Sequence, residues 1–290
     1  MGRIRRAEIV GSTLLAGSPL DAAQVDALLD RGRAEGGHRL DAYVLVRDYA
    51  AAAASIADAR QRPRADPRLL LDLEELRRLH ALATAGVTAR GGAWRLGNPT
   101  LATGIVAPAA WLVARETEAL VDRFGRGPND EPLALWTARF LGRFARLVPF
   151  ESANGRVARL AVNLMLRRLD IAPLVFERPD RRRFPQALAQ AEAARPQALA
   201  ALIATALERA ANRLLAASAA ASAADGDAAG DILPLRRIAG DDYGALARAA
   251  HRGRLRTIVR GGRYFTTAAW IAEYRGAVPG ADAPDRSSTP

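Results

Sequence analysis

The chain has no cysteine, which excludes disulfides and thiolate metal sites. Lysine is absent too, so all 42 basic residues are arginine. Histidine occurs only at His38, His80 and His251, too scattered to suggest a zinc site, and no metal ligand set is expected. No run reaches the roughly 18 uninterrupted apolar residues of a membrane helix, and no basic-apolar-small segment opens the chain. The expectation is therefore a cytoplasmic protein with no membrane partner. What is present is ordinary for a soluble protein: half the residues are hydrophobic and a quarter charged. A length of 290 residues leaves room for one larger domain and a small one.

A formal charge of +11 and a pI near 11.2 invite a nucleic-acid reading. Arginine without lysine, in a chain so rich in alanine, points instead to genome-wide compositional bias. Global charge is then weak evidence for a partner, and only its local distribution counts.

The informative stretch is Leu147-Val148-Pro149-Phe150-Glu151-Ser152-Ala153-Asn154-Gly155-Arg156-Val157-Ala158-Arg159. Pro149 ends the preceding helical pattern, having no N–H and disfavouring helix at the residue before it. Ser152 or Asn154 can cap a new helix running through Leu160, Val162, Leu164, Met165, Leu166 and Leu169. Gly155 permits close approach of a ligand, and Arg156 and Arg159 lie three apart on one helix face. Free N–H groups with two guanidinium forks suit a phosphate or another anion. The alternative is a solvated arginine pair.

This stretch resembles the signature loop of Fic (Fido) proteins, HPFxxGNGRxxR with an acid before the first glycine. Pro149, Phe150, Asn154, Gly155, Arg156 and Arg159 match at the right spacing. Val148 stands at the base histidine, Ser152 at the metal-binding acid and Ala153 at the first glycine. The resemblance implies a mainly α fold: a Fic-type helical bundle with a small β-hairpin flap. It implies ATP or another nucleotide as ligand, held by Asn154, Gly155, Arg156 and Arg159. It assigns no catalytic residue, since Val148 occupies the base position, and leaves Mg²⁺ open.

Many members carry an inhibitory helix with the pattern [S/T]xxxE[G/N], whose Glu pairs with the second arginine. Ser12, Thr13 and Gly17 fit that outline, with Ala16 at the Glu position, inside a helix expected over 8–34. A plain helix start capped by Ser18 or Asp21 explains the same residues. Gly91-Gly92-Ala93-Trp94-Arg95 resembles the segment leading into the flap, which would dock a target protein by strand addition through Trp94 and Arg95. Trp94 as a core anchor with Arg95 its solvated neighbour is the other reading. His80 is expected to be structural or solvated.

Helices are expected over 38–61, 68–83, 109–126, 132–147, from Phe184 and over 197–224, with a loop over 86–108. The Fic-like domain is placed at 1–217, its core at 38–215. Residues 218–231 have the small, polar composition of a flexible linker. Residues 232–276 resemble an excisionase-type winged helix-turn-helix module, with short helices, two strands around Gly261-Gly262 and a last helix capped by Thr266 or Thr267. That span holds nine arginines against Asp241, Asp242 and Glu273, a net charge of +6. Arg252, Arg254, Arg256, Arg260 and Arg263 are the expected nucleic-acid contacts, DNA being the implied partner. A protein-docking module fits the same residues. A disordered tail is expected over 277–290.

Three functions remain open. One is a Fic-fold protein silent in AMP transfer, binding a nucleotide or phosphate ligand and acting as a regulator. Another is a working transferase whose base is Glu151, His80 or a group of its target. The third is a partner-binding scaffold with an empty pocket.

Overall fold

The structure is a computed structural model describing residues 2–62, 66–101, 103–229 and 232–277, the last residues of the long helix, 219–229, by their backbone alone. The chain divides into two units, residues 1–214 and 215–290.

The first unit is a helical bundle: α1 (Gly2–Leu15), α2 (Ala22–Arg31), α3 (Leu40–Ile56), α4 (Leu73–Ala83), α5 (Val113–Phe124), α6 (Leu133–Leu147), α7 (Asn154–Arg168), α8 (Asp180–Glu192) and the start of α9 (Gln197–Ala229). At its centre α7 buries every residue from Val157 to Leu166, so it is covered on all sides. It packs against α1, α3, α4 and α6, while α6 also carries α5 and α8. Gly142 of α6 lets α8 close in, since a Cβ there would lie 2.6 Å from the Ala191 carbonyl.

Local chemistry sets the helix ends. Asp72 caps α4 by accepting from Glu75 N at 2.7 Å. Asp21 and Gln24 form a reciprocal capping box on α2. The single helix expected over 8–34 is two helices. Gly17 at φ 91° and Pro19 break it, because the first turns the chain left-handed and the second has no N–H. The helix expected over 109–126 opens with a 3₁₀ turn at Ala110–Leu112. Among the described residues the expected flap shows one antiparallel bridge, Thr100 with Val106.

Another correction concerns 218–231. Through Ala229 this stretch continues α9, because alanine's high helix propensity extends a helix already nucleated by packed residues upstream.

The second unit contains β1 (Leu233–Pro234), α10 (Leu235–Ile238), α11 (Tyr243–His251), β2 (Ile258–Arg260), β3 (Arg263–Thr266) and α12 (Ala268–Ala277). Strand order is β1-β3-β2, antiparallel throughout, with Leu233 opposite Thr266 and Ile258 opposite Phe265. Gly261 and Gly262, at φ 55° and 73°, turn the β2–β3 hairpin as a two-residue loop with both central residues left-handed. Thr267 caps α12, its hydroxyl accepting from Trp270 N at 3.1 Å. Leu235, Leu246, Ala249, Leu255 and Ile271 form a small core. Strand β1 was not expected, since two residues carry no alternation to read. The tail over 278–290 lies outside the described residues.

Candidate functional site

The signature loop joins α6 to α7, and its shape rests on two left-handed residues. Val148 closes α6 at φ 46° and Ala153 precedes α7 at φ 60°. Neither is glycine, and for a β-branched residue this region is costly. Val148 is held there from both ends: its N–H donates to Phe144 O at 3.0 Å and its carbonyl accepts from Arg95 Nε at 2.7 Å. Neither Ser152 nor Asn154 caps α7, whose N-cap position is Ala153 with no side-chain hydrogen bond. Asn154 instead folds back on the loop, its Oδ1 accepting from Phe150 N at 3.0 Å and its Nδ2 donating to Phe150 O at 2.8 Å.

Phe150 is fully buried between two rings. His80 of α4 stacks on it at 3.9 Å and Trp94 at 5.2 Å. Trp94 is therefore a half-buried packing residue of the loop, with the Arg77 guanidinium 5.8 Å from its ring centroid.

Arg95 is not a target-docking side chain. It is buried, and its guanidinium donates to the carbonyls of Val148, Gly97, Pro108 and Leu147. Both roots of the flap segment are thus tied to the end of α6. The backbone continues the tie, Arg95 N donating to Pro149 O at 3.0 Å. Glu151 Oε1 accepts from Leu96 N at 2.8 Å, so that carboxylate also serves the flap stem.

His80 is 2% exposed, and its Nδ1 accepts from Gly92 N at 2.8 Å. Burial, then the neighbouring Arg156 charge, pushes its pKa down to about 4. It is a neutral packing group, poorly placed to act as a base.

The two arginines of the motif have different surroundings. Arg156 is half-buried and donates through Nη1 to Ala83 O at 2.9 Å. Burial lowers its pKa, offset by Asp48 and Tyr49. Arg159 is buried, and α1 takes it up: Nε donates to Ser12 Oγ at 2.6 Å and Nη2 to Ser12 O at 2.8 Å. Its guanidinium also lies 5.8 Å from the Phe184 ring. Ser12 thus meets the second arginine, while Ala16 and Gly17 have left the helix and follow it in a turn.

Sequence reasoning missed the polar group beneath Arg159. Glu8 Oε1 accepts from Tyr49 Oη and, at 2.9 Å, from Asn163 Nδ2, all of them buried. Asn163 Oδ1 in turn accepts from Leu174 N at 3.0 Å. Burial pushes Glu8 up to about 7, against the downward pull of Tyr49, Arg159 and Asn163. The available signal was spacing: Glu8 lies four before Ser12 and Asn163 four after Arg159, so each pair shares a helix face.

Around the loop the donor set does not suit Mg²⁺. Ser152 offers one neutral oxygen, Glu151 is engaged by the flap stem, and no group of three His, Cys, Asp or Glu fit to hold a metal occurs among the described residues.

In the second unit Arg252, Arg254, Arg256, Arg260 and Arg263 are all exposed. Arg260 and Arg263 face each other across the hairpin, and Arg256 stacks on Trp270 at 4.4 Å.

Among the described residues no helix is long and apolar enough to cross a membrane. No curated protein matches the chain. Among solved structures, a Fic domain containing signaling protein from Bacteroides thetaiotaomicron is 21% identical at a TM-score of 0.61, over 72% of this chain and 84% of that one. Fic-1 from C. elegans is 17% identical at 0.64, over 74% of this chain and 64% of that one. A Fic family protein from Desulfovibrio desulfuricans is 19% identical at 0.55, over 91% and 86%. At these identities the likeness establishes the fold. Residues 70–166, which contain α4 through most of α7 and the whole signature loop, match the sequence profile of the Fic/DOC family, and the chain is similar in fold to Fic proteins.

Proposed function

We propose that this Fic-type protein is silent in AMP transfer, binds a nucleotide or another phosphate-bearing ligand at the signature loop, and acts as a regulator through a nucleic-acid-contacting C-terminal unit. The observation that carries the silent half is Val148. Transfer to a hydroxyl needs a group to take its proton, and an isopropyl side chain has none. Loss of general base catalysis costs about 10²–10⁴-fold. The nearby candidates do not replace it: His80 is buried and stacked on Phe150, and Glu151 is bonded to Leu96 N. The site also lacks a carboxylate where Ser152 stands.

Three features support the phosphate half. The N-terminus of α7 has no side-chain cap, leaving its first N–H groups to a ligand. Gly155 adds no side chain beside them. Arg156 spends one N–H on Ala83 O and keeps others for an anion. Arg159 is spent on Ser12, so a ligand reaching both arginines must first displace α1.

For the second unit, five exposed arginines from the end of α11 through the β2–β3 hairpin are the supporting observation.

The test is calorimetry on the full chain against ATP, ADP and other nucleotides, with and without Mg²⁺. Saturable binding that disappears in Arg156→Ala supports the reading, and no binding to any of them sinks its nucleotide half. Self-labelling by a radiolabelled nucleotide is expected to be undetectable. Nucleic-acid affinity is expected to fall steeply with salt and to weaken in Arg260→Ala. A salt-insensitive or absent interaction ends that half.

A further inference from the structure

Away from Arg156 and Arg159, a cleft of 670 Å³ opens between α5, α6 and α8. Four arginines line it: Arg123 from α5 and Arg139, Arg143 and Arg146 from α6. On α6 they follow one another by four and then three residues, which puts them on one stripe. Phe140, Phe144 and Leu147 of the same helix are buried in the core. Close approach of α8 at Gly142 supplies the wall formed by Ala191 and Glu192.

Compositional bias accounts for arginine in place of lysine. It does not account for four guanidinium groups converging on one concavity. Arg139 is paired with Glu131 at 2.5 Å, whereas Arg123, Arg143 and Arg146 have no ion pair among the described residues. Of the two carboxylates in the lining, Glu116 is held by Arg115 at 3.0 Å, leaving Glu192. Arg143 lies below the usual guanidinium range, first through burial and then through the charges of Arg123, Arg139 and Arg146, so the four sense one another. Like charges gathered in a cleft focus a positive potential that an anion relieves.

We propose that this cleft binds a small oligophosphate, a molecule carrying two or more adjacent phosphoryl groups, at a site separate from the signature loop. The volume matches a small-molecule site. Guanidinium forks take phosphoryl oxygens two at a time, and several forks match a chain of phosphates better than a single anion. A duplex or an extended nucleic-acid strand would need arginines spread along a track, and here they converge.

The test is calorimetry of the full chain with inorganic tripolyphosphate and pyrophosphate. Wild type is expected to bind tripolyphosphate more tightly than pyrophosphate. Arg123→Gln with Arg143→Gln is expected to weaken that binding more than tenfold. Arg146→Gln is an independent single variant with an effect in the same direction. All three side chains are exposed, and circular dichroism should show the folds unchanged. Without ligand, Arg143→Gln is expected to melt no lower than wild type, because it removes repulsion. Arg156→Ala separates the two sites, and tripolyphosphate binding that survives it while falling in the cleft variants supports this site. Loss in Arg156→Ala with the cleft variants unaffected would assign the ligand to the signature loop and overturn the proposal. So would the absence of tripolyphosphate binding to wild type.

Discussion

Arg159 donates to Ser12 through both Nε and Nη2, at 2.6 and 2.8 Å, joining the second arginine of the signature to the first helix of the chain. Removing the hydroxyl leaves a buried guanidinium N–H without its acceptor. Ser12→Ala is expected to cost about 1.5–3 kcal/mol, the range for a hydrogen bond to a charged group. Urea denaturation checks it: the midpoint should fall with the slope unchanged, and Ser12→Thr, which keeps a hydroxyl, should lose less.

Arg95 clamps the flap segment at Gly97 and Pro108 while holding the Val148 and Leu147 carbonyls. A lysine cannot reproduce that fork. Arg95→Lys is expected to destabilise the protein by about 2 kcal/mol or more. Hydrogen exchange should quicken between Gly97 and Pro108 and around Val148 before the rest of the bundle. Unchanged exchange there would contradict the clamp.

Val148 sits at φ 46° with a β-branched side chain. Asparagine tolerates this region better. Val148→Asn is expected to raise stability by about 1 kcal/mol, read as a higher melting temperature. A lower one would show that the apolar contacts of the valine outweigh its backbone strain.

Glu8 and His80 couple stability to pH in opposite senses. Glu8 is raised from 4.5 to about 7, so the folded chain holds a proton that the unfolded chain has released between those values. Its contribution is fully present below pH 4.5 and is lost as pH rises through 7. His80 is lowered from 6.5 to about 4, so its contribution is present above pH 6.5 and lost as pH falls through 4. The two slopes oppose each other where they overlap. Glu8→Gln removes one of them, and its stability relative to wild type is expected to fall by up to about 3 kcal/mol from pH 7.5 to 4.5. His80→Gln should shift the comparison the other way. Parallel pH profiles for Glu8→Gln and wild type would show that Glu8 is ionised in the fold.

Gly142 is where α6 and α8 touch, with 2.6 Å from an added Cβ to the Ala191 carbonyl. Gly142→Ala is expected to cost about 1–3 kcal/mol as overpacking, measured by chemical denaturation.

Much of this was readable from the chain. The 3.6-residue spacing of leucines, alanines and aromatics marked the helices of the bundle, and Pro149 with Asn154-Gly155-Arg156 marked the loop. Gly261-Gly262 between alternating residues marked the hairpin, because glycine takes the positive φ that a two-residue turn needs at both central positions. The extent of the flap was not readable, since a loop rich in Gly, Thr and Pro does not reveal which of its residues pair. The linker was misjudged because alanine and serine suit a flexible tether and, joined to a packed helix, also extend it.

Determined by the sequence alone was what a side chain can never do: Val148 has no atom to accept a proton, and the chain has no thiol to hold a metal or form a disulfide. Those facts are independent of conformation. Only the tertiary structure decided which arginines are spent and which are free. Arg159, expected to hold a phosphate, and Arg95, expected to dock a target, are buried clamps, because each meets acceptors 50 or more residues away along the chain. Arg123, Arg139, Arg143 and Arg146 line a cleft because two other helices stand beside α6. A guanidinium is always charged, so its role is set by the partners that folding brings to it.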